Sequence, residues 1–363
     1  MNLALAGMGW VTPLGCDVRS VCERIAKGER AVPERVTSTV SEKVYSAFRV
    51  PANACANLPP HPRLRRSSAI SRFAAAAGLA ALQDAGLKLE GDAAARTAII
   101  FAISNGGVVY TKRFYHEVVE SGAQAASPLL FPETVFNAPA SHLAAILGIT
   151  GASYTLVGDG AVGLLAIKMA EDLMLNPRID RCVVVGAEEA DWLLCDAYSR
   201  WRLLRREPPI EPFGEKPRGT ILSEGAGAIV LEKRSAEGAI EVDQIDAGCN
   251  FRRQSEAAAC VEQVFARLAP TSTNPIVASA NGTFIDRAEQ AAIQSHSPDA
   301  PVIAPKVSLG ESVGASAVWQ VICAANLFRI SNAAPRRAIV SVCGMNQQVA
   351  GLSLRQTAAS SAS

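Results

Sequence analysis

The residues best suited to covalent or acid–base chemistry are few and scattered along the chain. The nine cysteines form no C-x-x-C pair, and most lie in apolar runs such as residues 181–185 (RCVVV). The four histidines, at positions 61, 116, 142 and 296, are also far apart. A zinc site needs about four such ligands, so no metal is expected. The cysteines are typical of reduced core residues in a cytoplasmic protein.

Two carboxylates stand beside glycines in apolar surroundings. Asp159 lies in the run 158–160 (GDG), and Glu311 lies in the run 306–312 (KVSLGES). Carboxylates that folding brings together can split their pKa values and act as acid and base. No G-x-G-x-x-G follows a strand to open a helix, and there is no Walker loop. Neither nucleotide binding nor any other cofactor is therefore expected.

Composition narrows the range of partners. The 363 residues include 35 basic and 34 acidic side chains and only 6% aromatics, which argues against nucleic-acid and membrane-surface binding. The first residues lack the basic and apolar regions of a signal peptide, and no 18-residue apolar run follows. A soluble, cytoplasmic protein is expected. The hydrophobic content of 49% favours a sheet buried on both faces and a large subunit interface.

The elements that must position these residues alternate between strands and helices. Strands are predicted at 3–6, 97–103, 181–186, 225–231, 240–247, 275–280, 338–342 and 349–354. Helices are predicted at 17–27, 71–85, 160–175, 255–268 and 313–328, with irregular surface over 30–66. This alternation indicates an α/β fold with two similar halves, residues 1–235 and 236–356, and a frayed tail, 357–363.

Three segments resemble the β-ketoacyl synthases. Residues 212–228 (PFGEKPRGTILSEGAGA) resemble the family's P-F-D-x-x-R-D-G-F-x-x-G-E-G-A-G run, and residues 7–15 (GMGWVTPLG) resemble its opening G-M-G-x-V-T-P-L-G. Residues 127–151 match the stretch that leads to the family's nucleophile. The resemblance implies a thiolase-like fold with five layers, α/β/α/β/α, pseudo-duplicated halves and a dimer formed through its core.

The same resemblance implies a missing nucleophile. In condensing enzymes of this family, a cysteine at the N-terminus of a buried helix accepts an acyl chain from acyl carrier protein. Residues 155–164 (TLVGDGAVGL) match the family's T-V-D-T-A-C-S-S-S-L, which places Gly160 at the cysteine. Glycine cannot be acylated. The same glycine also suits a tight strand-to-helix turn, and Asp159 is then expected to cap the helix that follows.

Both family histidines are replaced as well. Asn281 stands in the segment 280–284 (ANGTF), which matches H-G-T-G-T, and asparagine cannot exchange a proton near neutral pH. Glu311 replaces the second histidine after the retained Lys306 and Gly310. Its negative charge would repel the carbanion formed by malonyl decarboxylation.

The gating loop and the tunnel are further implied sites. The family's G-F-G-G turn corresponds to Gly344, Met345, Asn346 and Gln347, which keep only the first glycine. Tyr110 and Phe114 lie in a stretch that resembles the family's interface, so they are candidate ends of an acyl tunnel or ordinary packing residues. The basic run at positions 63, 65 and 66 suits an acidic carrier protein or a solvated surface. His142 is interpreted as structural.

Three functions remain open on this evidence. The favoured one is a non-catalytic subunit resembling the chain-length factors, which pairs with an active ketosynthase and shapes the tunnel in polyketide, aryl polyene or fatty-acid biosynthesis. The second is an enzyme of altered chemistry that uses Asp159 and Glu311 as a carboxylate pair. The third is a homodimeric acyl-binding scaffold. By itself, the chain is not expected to catalyse condensation.

Overall fold

The computed structural model describes residues 3–65, 67–233, 237–330 and 335–357. The strands are β1 (Leu3–Val11), β2 (Pro33–Thr37), β3 (Val44–Phe48), β4 (Thr97–Ile103), β5 (Ser153–Val157), β6 (Arg181–Glu188), β7 (Leu222–Ser223), β8 (Gly225–Glu232), β9 (Ile240–Asn250), β10 (Ile276–Val277), β11 (Val302–Ile303), β12 (Arg337–Cys343) and β13 (Gln348–Gln356). The helices are α1 (Val18–Ala26), α2 (Ala69–Asp84), α3 (Gly91–Ala95), α4 (Val108–Ser121), α5 (Ala138–Leu147), α6 (Val162–Leu173), α7 (Trp192–Arg200), α8 (Ala257–Leu268), α9 (Ile285–His296), α10 (Pro305–Leu309) and α11 (Ser316–Ile330).

The strand order repeats between the two halves of the chain. In the first half the order is β5-β4-β6-β8-β1, and in the second it is β11-β10-β12-β13-β9. In each half, the strands that come first and last along the chain (β1 with β8, and β9 with β13) pair antiparallel. The other three strands of each half run parallel to one another. A short antiparallel contact between β1 and β9 joins the halves. The predicted pseudo-duplicated α/β fold is therefore confirmed.

Five layers follow from how the side chains alternate. On β4, Ile100 faces a central core that contains α6 and α11, whereas Ile99 and Phe101 face an outer core formed with α2 and α5. Helices α8 and α9 cover the outer face of the second half. In α11, 12 of the 15 residues are buried, as expected for a helix that is apolar on all sides. The layers bring the N-terminus of α6 close to the loop after β12.

Most predicted elements are present, with ends shifted by a few residues. The strand 97–103 has the predicted bounds. The prediction of irregular structure over 30–66 is wrong, because β2 and β3 form a hairpin that joins β7 in a second, three-stranded sheet. Most positions of β2 are exposed or half-buried, so the segment lacks a clear apolar pattern. Helix α4 was missed for the same reason, since it has no fully buried residue.

The proposed boundary between 235 and 236 and the tail beyond position 357 lie outside the described residues. Thr357 itself is ordered, because its backbone N–H donates to the carbonyl of Ala239 at 2.9 Å. All nine cysteines are free, but Cys16 is exposed rather than in the core. Within the described ranges, no helix combines the length and apolar character needed to cross a bilayer.

Candidate functional site

Gly160 lies in the turn between β5 and α6, as the sequence predicts. It is buried against the backbone of Gly344, and a Cβ atom built on Gly160 would lie 3.1 Å from the Gly344 Cα. Its φ angle is not positive, so the turn does not need glycine for its backbone conformation. Glycine is favoured here by the close approach of two backbones. A larger side chain requires the loop around Gly344 to move.

Asp159 does not cap α6, so that prediction is wrong. Helix α6 has no side-chain cap. The Asp159 carboxylate instead accepts hydrogen bonds from the backbone N–H groups of Asn346 at 2.9 Å and Gln347 at 3.0 Å. Bonds from several amides to one buried carboxylate are charge-assisted and strong, which explains why the side chain turns to the loop. Asp159 therefore holds the loop across the helix N-terminus.

The loop 344–347 joins β12 to β13, with Met345 buried and Asn346 and Gln347 exposed. Met345 is buried in a cluster with Leu194, Tyr198 and Val313. A Cβ atom on Gly344 would lie 2.0 Å from the Asp159 Oδ2, so the first glycine of the loop is required by the contact with Asp159. The gating role of Gly344, Met345 and Asn346 remains a prediction.

The structure brings Asn281 and Glu311 together. The Asn281 Nδ2 donates to Glu311 Oε2 at 2.7 Å, and the Lys306 Nζ lies 2.9 Å from the same oxygen. The Lys306 and Glu311 side chains are each 2% exposed. Asn281 Oδ1 accepts from the backbone and hydroxyl of Thr283. Each of the three side chains thus has a structural partner, whereas Glu311 Oε1 has no hydrogen-bond partner among the described residues.

The retained Lys306 and Gly310 both serve this network. Lys306 lies on α10, and Gly310 ends that helix with φ of +79°. A Cβ on Gly310 would lie 2.6 Å from Phe48 Cδ2 and 2.9 Å from the carbonyl oxygen of Ile221. The glycine lets the chain turn sharply so that Glu311 follows directly and its backbone N–H bonds to that carbonyl at 2.9 Å.

Sequence reasoning missed Tyr198 and Glu188. They line, with Glu311, a cavity of about 10 Å³, which is at the lower limit for one water molecule. Burial raises the pKa of Tyr198, and the charges of Asp159, Glu188 and Glu311 raise it further. Burial also raises the pKa of Glu188 to about 7, although the Ser104 and Asn105 backbones donate to it. Neither residue lies in a sequence motif that marks a site. They are identified only because the fold places them beside Glu311.

The carboxylates of Asp159 and Glu311 have separate partners. Asp159 bonds to loop amides, and Glu311 bonds to Lys306 and Asn281. The two carboxylates are therefore held in separate hydrogen-bond networks. In the described part of the chain, no group of three or more His, Cys, Asp or Glu residues could hold a metal ion.

Tyr110 and Phe114 lie four residues apart on α4, and both are half-buried. Burial raises the pKa of Tyr110, and the Glu133 and Glu189 charges add to this. The Phe114 ring packs on Phe131 with centroids 5.7 Å apart. The two side chains share one face of the helix, and their role at a tunnel remains a prediction.

The other sequence-predicted residues lie away from this site. Arg63 and Arg65 are exposed beside a short helical turn, and Arg66 lies outside the described residues. His142 is buried on α5, and its Nε2 contacts Glu133 Oε1. That contact is consistent with a structural role for His142.

Comparisons with known proteins point to one family. The model of the β-ketoacyl synthase N-terminal domain matches residues 2–237. The 3-oxoacyl-[acyl-carrier-protein] synthase 2 of Vibrio cholerae is 26% identical over 239 residues, which are 64% of this chain and 58% of the relative. Nodulation protein E of a Rhizobium species is 26% identical over 67% of this chain and 61% of its own length. The matched part thus spans about three fifths of these relatives.

Solved structures cover nearly the whole chain. The ishigamide ketosynthase/chain length factor has a TM-score of 0.83 at 20% identity, over 98% of each chain. A ketosynthase in complex with its chain length factor from Xenorhabdus doucetiae has a TM-score of 0.79 at 16% identity, also over 98% of each. These likenesses confirm the thiolase-like fold. The model of the β-ketoacyl synthase N-terminal domain also matches well over half of the residues of this chain. The chain therefore belongs to the β-ketoacyl synthase family.

Proposed function

We propose that the chain is a non-condensing subunit that pairs with an active ketosynthase and shapes the acyl tunnel, as a chain-length factor does. The closed site is the observation that carries the proposal. Gly160, Asn281 and Glu311 occupy the positions of the nucleophile and the two histidines. The cavity beside Glu311 and Tyr198 measures about 10 Å³ and is too small for an acyl chain.

The surface around α4 and β5 supports pairing. Among the described residues, β5 is an edge strand that pairs only with β4, and Tyr154 and Val157 on it are 41% and 55% exposed. An apolar edge strand is a site for pairing with another chain. Ile103 and Val157 are register partners at the ends of β4 and β5, and α4 begins five residues after Ile103. The edge and the helix therefore meet at one end of the sheet.

Further apolar side chains continue this surface along α4 and the segment after it. Those exposed by 42% or more are Tyr115, Val119, Leu129, Phe131, Val135 and Phe136. A patch of this kind on a chain with 49% hydrophobic residues fits a buried subunit interface. The half-buried Tyr110 and Phe114 lie on the same helix, so they are the candidates for side chains that reach a tunnel in the partner.

The first test is co-expression with a ketosynthase encoded beside this chain, followed by affinity purification and native mass determination. A stoichiometric heterodimer whose condensing activity requires this chain, while this chain carries no acyl thioester, supports the proposal. Val157→Lys places a charge on the edge strand and should abolish the complex, whereas Val40→Lys, at a position 78% exposed outside any strand or helix, should not. A homodimer that ignores the ketosynthase contradicts the proposal and favours the scaffold.

The tunnel role and the carrier-protein partner have separate tests. In the active complex, Phe114→Ala should lengthen the product chains, because a bulky side chain is removed. His116→Ala, two positions along α4 and so on another face, is the control. If the two variants give the same products, Phe114 does not end the tunnel.

Replacing Arg63 and Arg65 by glutamate should raise the KM for acyl carrier protein and leave kcat unchanged.

A further inference from the structure

A basic groove lies between the β2–β3 hairpin and the segment after α7, outside the family site. Its volume is about 680 Å³, which is within the usual range for small-molecule sites. Four basic side chains and one acidic one line it, together with the polar residues Tyr45, Ser46 and Ser199 and two apolar ones. The charged lining residues are Arg35, Lys43, Arg205, Arg206 and Glu207.

Arg205 is the unusual member of this groove. Its side chain is only 7% exposed, yet its Nε and Nη1 have no hydrogen-bond partner among the described residues. Its nearest carboxylate, on Glu211, lies 3.8 Å from Nη2 and is also 3.9 Å from Arg218. A guanidinium stays protonated in proteins, and a buried charge without a counter-charge is costly. The groove thus presents buried donors that no carboxylate of the described chain satisfies.

The rest of the groove adds to this positive field. Asp196 accepts from Lys43 at 3.1 Å and from Arg200 at 2.6 Å, so one carboxylate serves two cations. Arg35 and Arg206 form no ion pair with any residue in the described ranges. A phosphate group carries up to two charges and three acceptor oxygens, so it can engage several guanidinium forks, whereas a carboxylate has one charge and two oxygens.

We propose that this groove binds the phosphate group of a small organic molecule, with Arg205 as the fixed contact and Arg35 and Arg206 as mobile ones. The buried guanidinium of Arg205 offers N–H donors on Nε and Nη1 to the phosphate oxygens. The two exposed arginines, Arg35 and Arg206, donate to the remaining phosphate oxygens. The remaining volume holds the organic part of the ligand against Tyr45. This site is separate from Gly160, Asn281 and Glu311, so it does not depend on the function proposed above.

The test is calorimetric titration of the full chain with phenyl phosphate and with inorganic phosphate, at constant ionic strength in a phosphate-free buffer. We expect saturable binding, tighter for phenyl phosphate, and a loss of about tenfold or more in affinity in Arg205→Met. Arg252→Met removes the same charge from an exposed position outside the groove and should bind as the wild type does. Without ligand, Arg205→Met should melt no lower than the wild type, because it removes a buried charge whose ion pair with Glu211 is long and is shared with Arg218.

Three results would overturn the proposal. They are no saturable binding by the wild type, equal affinity of Arg205→Met and Arg252→Met, or a preference for inorganic phosphate over phenyl phosphate. If Arg205→Met does not fold, the double variant of the exposed Arg35 and Arg206 to Met replaces it. Undiminished affinity in that variant also refutes the site, and a clear loss supports it.

Discussion

Breaking the ion pair between Lys306 and Glu311 tests the closed site directly. The two side chains are each 2% exposed, with Nζ and Oε2 2.9 Å apart. Glu311→Gln keeps the volume and an acceptor for Asn281 but leaves Lys306 buried without a counter-charge. Removal of one partner of a buried pair costs about 3–5 kcal/mol. We expect a loss of that size in the free energy of unfolding.

The double variant separates the pair from its surroundings. Lys306→Met with Glu311→Gln removes both charges, and replacement of a buried ion pair by neutral groups of similar volume is often tolerated. We therefore expect the double variant to be more stable than Glu311→Gln alone, with a coupling energy of about 1–3 kcal/mol.

The assay is urea unfolding at pH 7, with the midpoint and slope compared across variants. The matched control is Glu90→Gln, which breaks the exposed pair of Lys88 and Glu90, whose side chains are 86% and 71% exposed. Its unfolding midpoint should not change, because exposed pairs contribute little. If Glu311→Gln unfolds at the same urea concentration as Glu90→Gln, the pair is solvated, and the argument for a closed site fails.

Three further predictions concern the same region. Gly160→Cys should destabilise the chain by about 1–3 kcal/mol, because its Cβ would lie 3.1 Å from the Cα of Gly344. After incubation with acyl-loaded acyl carrier protein, the intact mass of this variant should show no added acyl group. Asp159→Ala should cost about 2–3 kcal/mol and speed hydrogen exchange at 346–348, whereas an unchanged exchange rate there would exclude Asp159 as the anchor. Burial raises the pKa of Glu289 from 4.5 to about 7, so the unfolded state loses its proton first as pH rises. The stability that protonated Glu289 contributes should therefore be lost between about pH 4.5 and pH 7, an amount on the order of 3 kcal/mol. Glu289→Gln, which keeps an acceptor for the Ser279 backbone N–H, should remove this part of the pH dependence and leave the part due to Glu188, whose pKa is also raised to about 7.

The fold was largely predictable because buried strands and helices have strong apolar patterns. The strand 97–103 is buried at every position. Helix α11 lies near its predicted position because a largely apolar helix must be covered on nearly all sides, and α6 lies near its own because its first two turns are apolar and buried. The hairpin of β2 and β3 was not predictable in this way. It is partly exposed, so its stability depends on pairing with β7, more than 170 residues later.

The family motifs selected the residues of the candidate site, whose roles stay predictions, but they gave no information on the contacts of those residues. The family motifs located Gly160, Asn281 and Glu311 at three distant points of the sequence, and the structure places Asn281 against Glu311. The role of Asp159 was predicted wrongly, because local capping rules consider only neighbours in sequence. Its real partners are amides about 190 residues away, which the layered packing brings to the helix N-terminus.

The sequence by itself determined the class of fold and the family, because both depend on residue type and order, and the assignment of Gly160, Asn281 and Glu311 to the family's catalytic positions stays a prediction of the aligned motifs. Tertiary structure alone decided that Asn281 and Glu311 are buried in one hydrogen-bond network. Lys306 is the only inherited cation of its motif, and whether its charge is free or paired depends on the distance to Glu311. Likewise, Arg205 is one of many arginines in sequence. It becomes a candidate binding residue only because folding buries its guanidinium and leaves Nε and Nη1 without hydrogen-bond partners among the described residues, and desolvation of a charge is a property of the packed chain.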